Sequence, residues 1–130
     1  VYPGSVRFVE AVHAAGLRRA GVSASKNCRE VLVAAGLAPF FEVVVDGKVA
    51  EAAGLRGKPQ PDMFLHAAAL LETIPGQAAV FEDAVAGVAA GRAGGFGWVI
   101  GVDRLDHADD LRASGADIVV PDLSELLEER

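Results

Sequence analysis

The sequence predicts an α/β fold in which a parallel sheet is covered by helices on both faces. Short apolar or β-branched runs alternate with helical patterns almost to the end of the chain. Parallel strands need crossover connections, and helices normally supply them. The chain has 130 residues, of which 52% are hydrophobic, enough to bury one core and not two. We therefore expect a single domain over residues 1–130.

The first half of the chain carries the patterns of two helices and two strands. Apolar residues recur at helical spacing from Ser5, which can cap the first helix, and Gly16 can end it. An apolar run over residues 18–23 predicts a strand, and a second helix follows until Gly36. The β-branched run over residues 41–45 predicts the next strand, which ends at an Asp-Gly turn signal.

The second half begins with a long connection and then alternates regularly. Residues 46–60 are rich in Gly, Ala, Lys and Asp without clear periodicity, so we expect a functional or flexible loop. Two prolines close this connection before the next helix. The remaining elements are predicted as a helix over 62–71, a strand over 78–81, a helix over 85–93, a strand over 97–102, a helix over 106–114 and a strand over 118–120.

Composition and charge exclude several classes of partner. A net charge of −6 argues against nucleic-acid binding, which needs clustered Lys and Arg. No apolar run approaches the roughly 20 residues of a membrane span. No signal-peptide pattern is found either, so we expect no membrane partner and a cytoplasmic location. A single cysteine, Cys28, excludes an intrachain disulfide. A structural thiol is favoured over a catalytic one, because no histidine is near it in sequence.

Polar residues follow the predicted strands at their carboxyl ends, where parallel sheets bind ligands. These residues are Ser23, Asp46, Glu82, Asp83 and Asp103. Since the carboxyl ends of parallel strands meet at one edge of the sheet, we expect these side chains to share one rim.

Glu82 and Asp83 directly follow a strand that should be buried. Two adjacent carboxylates repel each other without a counter-charge. A hard divalent ion such as Mg²⁺ prefers carboxylate oxygens together with water and phosphate, which makes these two residues candidate ligands. The alternative is that both acids only favour the N-terminus of the following helix.

Two further stretches carry groups that suit phosphate. Ser23, Ser25 and Asn27 lie in a loop that opens a helix, where hydroxyls and free amides can bind an anion. Ordinary helix capping by Ser25 or Asn27 is the alternative. Lys58 lies in a Gly-Lys-Pro turn from which its ammonium could reach the rim, although a lysine taken alone is more simply explained as a solvated surface residue.

Together these stretches resemble the second, third and fourth motifs of the haloacid dehalogenase-like phosphotransferases, in particular the β-phosphoglucomutase-like subgroup. The matching stretches are residues 22–27, 58–64 and 81–87. The resemblance spans nearly the whole chain and is weaker over residues 46–57, where this sequence has a few extra residues. It implies a Rossmann-like core with a parallel sheet between two layers of helices.

The resemblance also implies a role for each matching residue. Ser23 would donate a hydrogen bond to the transferring phosphoryl group, and Lys58 would neutralise its charge and hold the nucleophile, so these two are the expected catalytic residues. Glu82 and Asp83 would hold Mg²⁺. The implied phosphate-binding residues are Ser23, Ala24, Ser25, Lys26, Asn27 and Lys58, and those at 25–27 resemble the contacts to a second, non-transferring phosphate.

The family's first motif, Asp-x-Asp on the opening strand, has no counterpart in this sequence. Its first aspartate would attack phosphorus, and its second would act as acid and base. The helical cap is missing too, and the family fold places the lost strand in the centre of the sheet. Without that strand, its two neighbours would expose unpaired edges. We therefore expect this chain to be an excerpt of a longer parent protein and to be inactive by itself.

Two classes of function remain. The first is a Mg²⁺-dependent phosphatase or mutase for small phosphorylated metabolites, above all sugar phosphates, which works through an aspartyl phosphate in the intact parent. The second is a non-catalytic domain that keeps the fold for phosphate binding or structural contact. Flavodoxin-like or nucleotide-binding domains have weak support, because the glycines of residues 91–101 lack a dinucleotide spacing. Phosphatase and mutase stay unseparated, since the missing cap controls the access of water.

Overall fold

A computed structural model gives the structure of the protein and describes residues 3–26 and 28–127. The helices are α1 (Pro3–Ala14), α2 (Cys28–Ala34), α3 (Gly47–Ala53), α4 (Asp62–Leu70), α5 (Val85–Ala93) and α6 (Ala108–Ala113). The strands are β1 (Ala20–Val22), β2 (Val43–Val45), β3 (Ala79–Glu82), β4 (Trp98–Val102) and β5 (Ile118–Val120). Short 3₁₀ helices span Ala38–Phe40, Pro75–Gln77 and Leu123–Leu127. The predicted alternation of strands and helices is confirmed.

The strands form two parallel sheets. β1 pairs with β2, with Ala20 opposite Val43. β3, β4 and β5 form the second sheet in that order. Within residues 3–26 and 28–127, β1 and β3 are not paired with each other or with a common strand, so each has one edge without a sheet partner. This break between the two sheets coincides with the predicted position of the missing central strand. That a longer parent protein supplies this strand stays a prediction.

Helix α4 packs against both sheets. Its Met63 packs against the fully buried Val45 of β2. Its Phe64 packs in a second cluster with Val80 of β3, and Val22 of β1 contacts the same cluster. Val22 of β1 and Val80 of β3 therefore meet in one apolar cluster on α4, across the break between the sheets.

The three-stranded sheet is covered on both faces, as the sequence predicts. Val99 of β4 packs with Val88 of α5, whereas the adjacent Ile100 packs towards the last 3₁₀ helix. Adjacent strand residues point to opposite faces of a sheet. Phe81 is in register with Ile100, and its ring centroid lies 5.0 Å from that of Phe8 in α1. Helices thus cover both sides of this sheet.

Two local predictions are wrong. Helix α1 begins at Pro3, so Ser5 lies inside the helix and not at its N-cap position. The sequence predicts a turn at Asp46-Gly47 that opens a long loop, but α3 begins there. The Asp46 side chain caps this helix by accepting a hydrogen bond of 3.0 Å from the backbone N–H of Val49. Turns and helix starts share this signal, because in both an aspartate accepts from a nearby backbone N–H.

The ends of the first two helices follow their glycines. Gly16 and Gly36 have φ angles of 79° and 73°, a left-handed conformation that favours glycine at a helix end. Among the described residues, no helix is both long enough and apolar enough to cross a membrane.

Candidate functional site

The site is built on the carboxyl ends of β1, β2 and β3. Ser23 follows β1, and its backbone N–H donates a hydrogen bond of 2.9 Å to the carbonyl of Val45 at the end of β2. Glu82 closes β3, in register with Gly101 of β4. The polar residues predicted from the sequence therefore lie at strand ends on both sides of the break.

Lys58 forms the central contact of this rim. Its ammonium donates a hydrogen bond of 2.6 Å to Oε2 of Glu82, and the two side chains are 18% and 13% exposed. The same ammonium lies 5.0 Å from the ring centroid of Phe64, close enough for a cation–π contact. The structure thus brings Lys58 from the loop before α4 to the end of β3, where it is held by a carboxylate and an aromatic face.

Glu82 depends on this partner for its charge. Burial raises the pKa of the Glu82 carboxyl above its ordinary 4.5, while the positive charge and the hydrogen bond of Lys58 oppose the rise. The neighbouring Asp83 adds a repulsive charge that raises the pKa further. A carboxylate taken out of water is costly unless a cation compensates it, so the ionised form of Glu82 relies on Lys58 in the described residues.

The loop after β1 is more open. The Ser23 hydroxyl accepts a hydrogen bond of 3.1 Å from the backbone N–H of Ser25, and the backbone N–H of Gly47 donates one of 3.0 Å to the carbonyl of Ser25. Lys26 forms an ion pair of 3.3 Å with Glu51 of α3, and both side chains are largely exposed. The exposed Ala24 belongs to the same loop. Ser25 and Lys26 thus link this loop to the start and the exposed face of α3.

One predicted member of the loop, Asn27, lies outside the described residues. Its assignment to phosphate binding stays a prediction from the sequence.

Cys28 begins α2 beside Ser23. Burial raises the pKa of its thiol, and the negative charge of Asp46 adds to the rise. Arg29, Lys58 and a hydrogen bond with Ser23 act in the opposite direction. A thiol with a raised pKa is a poor nucleophile at neutral pH, which agrees with a structural cysteine.

Asp46 and Asp103 stabilise local structure. Asp46 is only 3% exposed at the start of α3, and its side chain caps that helix. Oδ1 of Asp103 accepts a hydrogen bond of 2.8 Å from the backbone N–H of His107, just before α6. Both residues follow a strand, as predicted, but their contacts explain them as helix-start residues.

The pair Glu82 and Asp83 fits the chemistry of a Mg²⁺ site only in part. Both offer carboxylate oxygens, which Mg²⁺ prefers, and Asp83 is exposed. One oxygen of Glu82 is already bonded to Lys58. Throughout residues 3–26 and 28–127, no three His, Cys, Asp or Glu side chains lie together in a group that could hold a metal ion. The two carboxylates are therefore an incomplete set of ligands.

Sequence reasoning assigned no role to Phe64 and Gly87, although both lie inside the recognised stretches 58–64 and 81–87. Phe64 contributes the aromatic face below Lys58. A Cβ atom placed on Gly87 would lie only 2.1 Å from Oε1 of Glu82. Each shares a recognised stretch with the charged residue concerned, Phe64 with Lys58 and Gly87 with Glu82, but the contacts depend on side-chain directions that a sequence does not contain.

Comparison with known proteins extends these observations. A family model for haloacid dehalogenase-like hydrolases matches residues 1–95. A β-phosphoglucomutase of Mycobacterium bovis is 53% identical over 130 residues, which cover 98% of this chain and 50% of that protein. A trehalose-phosphate phosphatase of Mycobacterium leprae is 39% identical over 127 residues, which cover 95% of this chain and 28% of that protein.

A solved structure is similar over nearly the whole chain. The crystal structure of a HAD family hydrolase from Deinococcus radiodurans R1, with bound phosphate and sodium, matches with a TM-score of 0.83 and 34% sequence identity. The match covers 96% of this chain and 56% of that one. The present chain thus spans about half the length, or less, of these relatives.

Proposed function

The chain belongs to the haloacid dehalogenase-like hydrolase family, and we propose that it provides most of a phosphoryl-transfer site for small phosphorylated metabolites, with sugar phosphates as the favoured class. The observation that carries the proposal is the ion pair of Lys58 with Glu82 at the end of β3, directly before Asp83. A fixed, mostly buried ammonium at a strand end suits the charge of a transferring phosphoryl group. Similarity to a β-phosphoglucomutase and to a trehalose-phosphate phosphatase supports the choice of sugar phosphates.

Each residue of the rim has a proposed task. Lys58 neutralises the charge that develops on the phosphoryl group, and Ser23 with the backbone amide of Ala24 hydrogen-bonds to its oxygens. Asp83 and Glu82 would hold Mg²⁺ together with a further ligand from outside the described residues. When bound, the ion would offset the negative charge of the phosphate.

The nucleophile is proposed to come from a strand between β1 and β3 in a longer parent protein. Two observations support this. Both strands have an edge without a sheet partner in the described part of the chain, and the relatives are about twice as long or longer. An aspartate at the carboxyl end of such a strand would lie at the same rim as Lys58 and would form the aspartyl phosphate.

Mass spectrometry of the natural protein tests this step. We expect a mass well above 13.4 kDa and, for the isolated chain, no turnover. An intact natural species of 13.4 kDa that melts cooperatively would contradict the proposal. So would phosphate release by the isolated chain above that of its Lys58→Ala variant.

Phosphatase and mutase activities share the proposed core. A phosphatase admits water to the aspartyl phosphate, whereas a mutase excludes it until a sugar hydroxyl attacks. The proposed second anion site at Ser25, Lys26 and Asn27 favours a substrate that carries another anionic group. Lys26 is suited to this task, because its exposed ion pair with Glu51 can be exchanged for a ligand at little cost.

A substrate comparison tests the function directly. The intact protein with Mg²⁺ is given β-glucose 1-phosphate, trehalose phosphate or p-nitrophenyl phosphate, and products are followed by ³¹P NMR. We expect faster turnover of at least one sugar phosphate than of the generic ester. Turnover of the generic ester at the same or a higher rate would remove the sugar-phosphate preference, and no turnover of any ester would contradict the enzyme.

The second candidate is a non-catalytic phosphate-binding domain. It is favoured by the lack of a third carboxylate near Glu82 and Asp83 in the described residues. This function predicts that phosphate binds and protects the rim while no ester is turned over by the intact protein. A parent sequence without an Asp-x-Asp strand would support it.

A further inference from the structure

The side chain of Glu82 occupies the space that a side chain at position 87 would need. A Cβ atom on Gly87 would lie 2.1 Å from Oε1, 2.2 Å from Cδ and 2.6 Å from Cγ of Glu82. The other carboxylate oxygen, Oε2, accepts the hydrogen bond of Lys58 at 2.6 Å. We infer that Gly87 is a positioning residue: its missing side chain lets the Glu82 carboxylate cross the first turn of α5 and reach Lys58.

Helix α5 cannot move aside to make room for a side chain. Val88, the next residue, is fully buried against Val99 and Leu111, and Ala90 is fully buried near Phe64. A packed core resists shifts of this kind. The carboxylate is the movable end of a flexible side chain, so a methyl group at position 87 displaces Glu82 and leaves the helix in place.

Displacement of Glu82 removes the partner that orients Lys58. The ammonium is mostly buried, with a side chain 18% exposed, and among the described residues it also lies 5.0 Å from the ring centroid of Phe64. An ammonium without a counter-charge is poorly tolerated away from water. Lys58 then turns towards solvent, and the rim loses its fixed positive charge.

If Gly87 has this role, the sign of the stability change caused by Gly87→Ala depends on whether Glu82 is present. Glycine inside a helix is less favourable than alanine, so Gly87→Ala should stabilise α5 if nothing occupied the space. With Glu82 present, the methyl group instead meets the carboxylate. The effect of Gly87→Ala therefore reverses when Glu82 is truncated to alanine, which a merely structural glycine does not predict.

The first test follows the Lys58 ammonium protons by NMR in the natural protein. In Gly87→Ala, we expect their exchange with water to be about tenfold to a hundredfold faster, the range for loss of a hydrogen bond to a charged group. The matched control is Gly91→Ala in the same helix, whose added Cβ would meet Val80 and Val99 at 3.2–3.3 Å and not Glu82. Unchanged exchange in Gly87→Ala, or equal acceleration in Gly91→Ala, would overturn the inference.

The second test compares melting temperatures in a double-mutant cycle with Glu82→Ala. Gly87→Ala is expected to lower the melting temperature of the wild-type protein and to raise it in the Glu82→Ala background. If Gly87→Ala alone does not fold, a folded double variant supports the inference, and a double variant that also fails to fold overturns it. Additive effects in the cycle overturn it as well.

The relevance of this contact to phosphoryl transfer rests on the proposed function. Neither readout requires turnover, so the two ideas fail separately. A protein that turns over no phosphate ester but shows the expected exchange and sign reversal would retain Gly87 as a positioning residue and lose the proposed function.

Discussion

Two lysine–glutamate ion pairs lie near the carboxyl ends of the strands, and they differ in the distance between the charged groups and in their exposure to water. Lys58 and Glu82 approach to 2.6 Å, with side chains 18% and 13% exposed. Lys26 and Glu51 approach to 3.3 Å, with side chains 59% and 74% exposed. In the first pair, removal from water makes each charge depend on the other. In the second pair, water can replace either partner.

The comparison separates a charge that the fold fixes from a charge that can be moved by a ligand. Lys58 comes from the loop before α4, and its partner Glu82 closes β3 and lies against Gly87 in the first turn of α5. Lys26 is attached through its tip to the exposed side of α3. Electrostatic catalysis needs a preorganised charge, whereas substrate capture tolerates a mobile one. We therefore propose that Lys58 serves transfer and that Lys26 serves capture of a second anion.

The largest expected effect on stability comes from breaking the buried pair. Lys58→Ala leaves Glu82 without its counter-charge and should lower the free energy of unfolding by about 3 kcal/mol, as for other buried pairs that lose one partner. The matched variant Lys26→Ala should cost less than about 1 kcal/mol. Urea unfolding at neutral pH measures both.

Removing both partners sharpens this result. The double variant Lys58→Ala with Glu82→Ala should recover part of the loss, because no unpaired charge remains. Equal losses for Lys58→Ala and Lys26→Ala would show that burial does not distinguish the two pairs.

A smaller effect is expected where the loop that carries Lys26 packs against Gly47 at the start of α3. A Cβ atom on Gly47 would lie 2.4 Å from the carbonyl oxygen of Ala24 and 2.9 Å from Cγ of Lys26. Because a backbone oxygen cannot rotate away, Gly47→Ala should displace the loop after β1 and cost about 2 kcal/mol, as in other overpacked sites. Thermal unfolding measures the loss.

The control for this variant is Gly76→Ala, since an added Cβ there meets nothing within 4 Å. The Lys58 ammonium signal should stay unchanged in Gly47→Ala, because its partners lie on other elements. A melting temperature equal to that of Gly76→Ala would mean that the loop is not held by Gly47.

The smallest effect concerns a third pair of intermediate burial. Arg104 and Asp122 approach to 3.1 Å, with side chains 13% and 30% exposed. Hydrogen bonds from the side chain and backbone of Ser124, together with Arg104, lower the pKa of Asp122 from 3.8 to about 2. A depressed folded-state pKa stabilises the protein above pH 3.8, and this contribution is lost as the pH falls towards 2.

Asp122→Asn isolates that contribution. The stability difference between the wild type and Asp122→Asn should shrink as the pH falls through this window, as measured by thermal unfolding at a series of pH values. A difference that is constant with pH would show that the charge of Asp122 contributes nothing.

Much of the fold was predictable because its signals are local. Helix α5 and strand β5 have the predicted bounds, since an apolar pattern and flanking glycines or aspartates define both. Helix α3 was missed because it has only seven residues and little apolar periodicity, and its cap at Asp46 has the same local pattern as a turn. A local sequence pattern predicts an element well unless, as at Asp46, a turn and a helix start have the same pattern.

The candidate site was predictable as a set of residues and not as a set of contacts. Ser23 and Glu82 were placed at strand ends from the sequence, and the structure has them there. Lys58 was placed in a turn from which its ammonium could reach the rim, and that ammonium contacts Glu82 there. The hydrogen bond between Lys58 and Glu82 joins residues 24 positions apart, and the path of the intervening chain decides it. The role of Gly87 depends on the direction of another residue's side chain. The catalytic and metal-binding roles stay predictions, as does the cytoplasmic location.

The central claim is that the buried pair serves transfer while the exposed pair serves binding, and steady-state kinetics of the intact protein on its best sugar phosphate tests it most directly. Lys58→Ala should lower kcat by about 10²–10³-fold, the range for loss of one preorganised electrostatic group. Lys26→Ala should raise KM and leave kcat nearly unchanged, as for a residue that binds ground state and transition state alike. A Lys58→Ala variant that keeps its kcat, or a Lys26→Ala variant that loses as much, would contradict the account.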